Sequence, residues 1–141
     1  MKLSARNILK GRITAINEGA VNGVVVIDIG GQLVKSDITM EAIKELGLKA
    51  GQDACAIIKA SNVMIASGNK HIANISARNQ FVGMISKVNK GAVNGHVSVK
   101  LNGGNTVMAS ITNEAIDSLG LAEGGAAVAI VKATDVIVGV E

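Results

Sequence analysis

The chain has 141 residues, 48% of them hydrophobic and 1% aromatic, with one Phe and no Trp or Tyr. Its formal net charge is +3, from 14 Lys and Arg against 11 Asp and Glu; this favours an anionic partner, but no basic run marks a nucleic-acid surface. The missing aromatics argue against single-stranded nucleic acid, the lone Cys55 excludes an internal disulfide, and no apolar run approaches a membrane span.

The N-terminal MKLSARNILKGR holds no apolar stretch long enough for a signal peptide, so the cytoplasm is the expected compartment. The first element it leads to is a strand over Ile8 to Asn17, where Ile8, Lys10, Arg12 and Thr14 alternate with Leu9 and Ile13. GAVNG (Gly19 to Gly23) then marks a tight turn. Val24 to Ile29 is a dense β-branched strand, and Gly30-Gly31 a hairpin turn before a third strand, Leu33 to Ile38. One short helix follows. Thr39 is its N-cap, Glu41 sits in its first turn, Ile43 and Leu46 lie on one face, and Gly47 ends it. Ala54 to Lys59 and Asn62 to Ala66 complete five strands.

The same order then repeats. SARN recurs as Ser76-Ala77-Arg78-Asn79 and GAVNG as Gly91 to Gly95; Thr39 aligns with Thr112, Leu46-Gly47-Leu48 with Leu119-Gly120-Leu121, and Lys59-Ala60 with Lys132-Ala133. The second half carries one inserted residue, at Asn102 to Asn105, where a hairpin turn absorbs it. The fold class read from this is all-β, mainly strands with one short helix per module, arranged as two tandem OB-fold-like barrels. The expected divisions are module 1 over 1–66, a polar linker over 67–74 and module 2 over 75–141. Each half is too small to be comfortably stable alone, so association between halves and between chains is expected.

Catalysis finds little support. His71 lies in the linker, His96 replaces Val24, and neither recurs in the other half. Cys55 aligns with Val128 in an apolar strand and reads as a core thiol. Glu41 and Glu114 do recur, but a helix N-terminus explains them. The expectation is a protein that is not an enzyme, with no metal cation and no covalent cofactor.

Three repeated segments instead offer hydrogen-bond donors. SARN supplies a hydroxyl, a guanidinium and an amide beside a small Ala (Ser4, Ala5, Arg6, Asn7; Ser76, Ala77, Arg78, Asn79). A lysine with a hydroxyl follows the fourth strand (Lys59, Ala60, Ser61; Lys132, Ala133, Thr134). The GAVN loops (Gly19, Ala20, Val21, Asn22; Gly91, Ala92, Val93, Asn94) offer backbone N–H groups that small side chains leave approachable. Each segment also reads as an ordinary turn with Ser, Thr or Asn bonding local backbone. Donors with few carboxylates suit a tetrahedral oxyanion that carries no proton at neutral pH, such as molybdate, tungstate or sulfate, over phosphate. Asn62 becomes Asp135 and Glu18 becomes Lys90 in the second half, so the two modules are expected to differ in affinity if these side chains touch the ion.

SARN, GAVN, the TxEAIxxLGL pattern over the helix, and KASNV or KATDV near the end of each half resemble the molbindin (Mop) family, in its two-module, di-Mop form. The resemblance covers nearly the whole chain, twice. It implies OB-like modules in a ring, a homotrimer of six modules, and molybdate or tungstate held without catalysis for intracellular molybdenum storage and homeostasis. It implies one site type joining the SARN and Lys59–Ser61 or Lys132–Thr134 segments across a module or subunit boundary. It implies a second where GAVN loops meet near the symmetry axis. The alternatives are a ligand-sensing regulatory piece, since such modules resemble effector domains of larger proteins, and a nucleic-acid-binding OB-fold protein. Neither nucleic acid nor a membrane is expected as a partner.

Overall fold

In the computed structural model, which describes residues 1–141, the alternating segment forms β1 (Asn7–Glu18) and buries Leu9 and Ile13. This long strand serves two partners. Asn7 to Arg12 pair antiparallel with β4 (Asp53–Ile58), and Arg12 to Glu18 with β2 (Asn22–Asp28). Changing partner requires a sharp coil, and Gly11 sits at it. A Cβ there would lie 2.3 Å from the Asp28 carbonyl oxygen, so any side chain would force β1 and β2 apart. A register shift between Ile13 and Ala15 adds local twist. The second half repeats the device in β6 (Asn79–Lys90), where a Cβ on Gly83 would lie 2.3 Å from the Lys100 carbonyl oxygen.

β3 (Leu33–Thr39) pairs with β2 and leads into α1 (Met40–Glu45). Thr39 Oγ1 accepts the Ala42 N–H at 3.1 Å, and Thr112 Oγ1 accepts the Ala115 N–H at 3.1 Å ahead of α2 (Asn113–Ser118), so the expected N-cap is present in both copies. Gly47 follows at φ 61°. Ile43 is buried as expected, but Leu46 is 41% exposed. The helix is too short to continue its face, and the chain turns at Gly47 so that Leu48 takes the core position instead.

The expectation that each module closes on its own five strands is corrected at the fifth. β10 (Ile137–Gly139) pairs with β4 of the first half, and β5 (Met64–Ser67) with β9 (Ala126–Val131) of the second. With β7 (Asn94–Leu101) and β8 (Thr106–Thr112), the sheet orders are β10-β4-β1-β2-β3 and β5-β9-β6-β7-β8. Duplicated halves present similar apolar edges, DACAII in β4 and AAVAIV in β9, on which a fifth strand from either half can pair. Exchange has the advantage of joining two small cores. One continuous cluster of 26 buried residues draws on both halves, and a larger single core loses proportionately less surface to water. Phe81, the only aromatic, is buried within it. Cys55 is buried and free, but it lies on the face of β4 opposite Ala54, Ala56 and Ile58, outside that cluster.

The β2–β3 and β7–β8 turns meet face to face. Asn105 Nδ2 donates to the Ile29 carbonyl at 2.5 Å, and Gln32 Nε2 to the Asn102 carbonyl at 3.2 Å. The residue inserted in the second half falls in this turn, as its sequence indicates.

Candidate functional site

β4 ends at Ile58, where its apolar run stops and one residue before the expected end at Lys59, and Lys59 caps a short 3-10 turn, Ala60–Asn62, that separates β4 from β5. Lys132 and the turn Ala133–Asp135 repeat this in the second half. Because Asn7 pairs with Ile58 and Asn79 with Val131, strand register brings the SARN segment of each half beside its own lysine turn. In the first half the two line one cavity of about 390 Å³: Ser4, Ala5 and Arg6 on one side, Lys59, Ala60 and Ser61 on the other. Leu3, Ile57 and Ile137 supply its apolar walls. No carboxylate lines it, and neither Arg6 nor Lys59 belongs to the ion pairs Arg12–Asp53 and Lys90–Asp117. Two exposed cations, a pair of hydroxyls and small-residue backbone therefore surround a space that contains no competing anion.

Within this chain the two segments come from the same half. What crosses the module boundary is the wall residue Ile137, carried in by the exchanged strand, and the clamp made by the SARN asparagines. Asn7 Nδ2 donates to the Met108 carbonyl at 2.9 Å while its Oδ1 accepts the Met108 N–H at 2.8 Å. Asn79 does the same with Lys35, at 2.8 Å in both directions. Both asparagines are buried. Read from sequence as donors to an ion, their side-chain amides instead bond the edge backbone of β8 and β3 as a paired strand would.

In the second half Ser76, Arg78, Lys132 and Thr134 are exposed, and Ala77 and Ala133 half-buried. Arg78 also lines a separate cleft of about 590 Å³ with His71, Gln80 and the two facing glycine turns. His96 sits on β7, exposed, away from the linker that holds His71.

The GAVN loops lie at the other end of β1 and β6 from SARN, a path of roughly 35 Å along a twelve-residue strand. The Val21 carbonyl accepts the Met40 N–H and the Val93 carbonyl the Asn113 N–H, both at 2.8 Å, so each loop is pinned to a helix start. Val21 is 75% and Val93 72% exposed. The two proposed site types are thus spatially separate within one chain.

A TOBE domain model matches the chain twice, at residues 3–65 and 75–138. The chain belongs to the TOBE-domain family. Its TOBE modules are 43% identical over 142 residues to the molybdenum transport protein ModE of Herbaspirillum seropedicae, an alignment covering 100% of this chain and 52% of that protein. The molybdenum-pterin-binding protein MopA of Rhodobacter capsulatus is 37% identical over 138 residues, 97% of this chain and 52% of its own length. The chain thus spans about half the length of these two relatives. A probable molybdenum-pterin-binding protein of Haemophilus influenzae, 52% identical over 66 residues, matches 46% of this chain with 96% of its own; it corresponds to a single TOBE module. Among solved structures, the cytoplasmic molybdate-binding protein ModG in a molybdate-bound form superposes with a TM-score of 0.94 at 39% identity, over 100% of both chains. The resemblance to the molbindin family therefore holds, as does the mainly β, two-module fold. No helix is long and apolar enough to cross a membrane.

Proposed function

We propose that this chain binds molybdate, with tungstate as a second ligand, and serves intracellular molybdenum storage and homeostasis as a trimer of two-module chains in the cytoplasm. The observation that carries the reading is the carboxylate-free cavity where Ser4–Arg6 meets Lys59–Ser61. The relatives' names and the molybdate-bound neighbour support it independently. At this site Arg6 and Lys59 supply positive charge, Ser4 and Ser61 hydroxyl donors, and Ala5 and Ala60 approachable backbone N–H groups; Asn7 holds the segment. Ser76–Asn79 and Lys132–Thr134 form the counterpart. The GAVN loops form a second site type where copies of the chain meet.

Isothermal titration with molybdate, tungstate, sulfate and phosphate at equal ionic strength, with the mass in solution measured alongside, tests this. Molybdate and tungstate are expected to bind and phosphate to be silent. Arg6→Ala and Lys59→Ala are each expected to weaken binding about tenfold or more, the scale of a lost charge-assisted hydrogen bond. Unchanged affinity in both variants would remove the side-chain roles, and no binding of any oxyanion would sink the proposal.

A second reading rests on the relatives' length. Because the two-module unit fills about half of ModE, the same sites could report ligand occupancy to an attached or separate partner. Molybdate-dependent retention of a partner would favour that reading over storage.

A further inference from the structure

Each candidate site is built by one half and clamped by the other, and only one of the two clamps carries a further side-chain bond. On β3, Lys35 holds Asn79, the last residue of the second SARN segment. Its neighbour Ser36 donates its hydroxyl to the Val136 carbonyl at 2.5 Å. Val136 closes the turn that carries Lys132, Ala133 and Thr134. On β8, Met108 holds Asn7 in the same way, but Ala109 stands where β3 has Ser36. Both positions are fully buried, with 0% exposure.

We propose that Ser36 is a positioning residue for the second oxyanion site alone, fixing the Lys132–Thr134 turn from beneath through the Val136 carbonyl. The proposal rests on the oxyanion reading above. Ser36 is sealed from solvent, so it acts only through the turn. Val136 is itself 1% exposed, and a buried carbonyl needs a partner. Without the hydroxyl the carbonyl loses this partner and the turn loses its tie to β3, as in the first half, where Val63 ends the matching turn with no such bond. A shift of a few tenths of an ångström in the Lys132–Thr134 turn re-aims the Ala133 N–H and the Thr134 hydroxyl, and binding then includes the cost of ordering them. The first site lacks this tie, so its lysine turn is held against β8 by packing and by Asn7 alone.

Titrating nitrogen-15-labelled protein with molybdate and following the backbone amides of Ala60 and Ala133 reads the two sites separately in one sample. In Ser36→Ala the dissociation constant at Ala133 is expected to rise roughly fivefold, the scale of one neutral buried hydrogen bond, with Ala60 unchanged. In Ala109→Ser the constant at Ala60 is expected to fall, with Ala133 unchanged. A general loss of stability does not produce this site-selective pair of effects. Equal weakening at both alanines in Ser36→Ala, or no change at either, overturns the assignment. A wild-type protein whose alanine amides ignore molybdate overturns the oxyanion reading itself, a result distinct from a variant that fails to discriminate.

Discussion

Asp28 shows how a single side chain in this fold can be tuned by backbone alone. Its Oδ1 accepts the N–H groups of Gly30 and Gly31, each at 2.9 Å, and these two bonds hold its carboxyl below the ordinary value of 3.8. A carboxyl whose folded value is lowered adds stability that is fully present above its unfolded value and is lost as pH falls through the folded one. Asp28→Asn removes that dependence. Thermal unfolding followed from about pH 6 to about pH 2.5 is expected to show wild type and variant converging on the acid side; parallel curves would deny Asp28 the role. The same contrast between type and partner explains Asn7 and Asn79. Sequence shows a repeated polar residue next to a repeated arginine, and an ion donor and a structural clamp look the same at that level. Burial and a single backbone partner identify the clamp, and the partner, Met108 or Lys35, is an unremarkable strand residue in the other half.

Strands and helix caps were legible because local chemistry specifies them: alternation for β1 and a threonine N-cap for each helix. The Asn-Gly pairs misplace the GAVNG turns by a few residues: Asn22-Gly23 and Asn94-Gly95 open β2 and β7 as paired strand residues, and the chain turns before them, at 19–21 and 91–93. The contact between the two glycine turns was not legible, since it depends on where two hairpins end in space. Gly103 and Gly104 separate the two causes of constraint there. Both adopt left-handed φ, 102° and 101°. A Cβ on Gly103 would lie 2.3 Å from the Gly30 carbonyl oxygen, whereas one on Gly104 meets nothing within 4 Å. Gly104→Ala therefore measures backbone strain alone, about 1–3 kcal/mol. Gly103→Ala adds the clash with the facing turn, and is expected to cost about 1–3 kcal/mol more in urea unfolding. Equal costs would mean that the turn–turn contact constrains nothing.

At the scale of the molecule, sequence gives the duplication but conceals the strand exchange. Each fifth strand carries the same signals whichever sheet it joins, and the choice is made by linker reach and by the area buried when two marginal cores become one. The expected consequence is that the halves unfold as one unit. Val138 lies in the second half of the sequence, is 6% exposed, and belongs to the 26-residue cluster through its place beside Ala56 of the first half. Truncation to Ala is expected to cost about 1–3 kcal/mol. In a single cooperative unit that loss appears everywhere at once. Hydrogen exchange measured at fixed protein concentration is the check: the slowest amides of β2, at Val25 and Ile27, and of β7, at Val97 and Val99, are expected to share one opening free energy in wild type and to lose the same amount in Val138→Ala. If β7 keeps its protection while β2 loses it, the sheets open separately and the exchanged strands tie two domains together without merging them. Equal loss in both means that a side chain near the end of the chain sets the stability of a site built from its beginning.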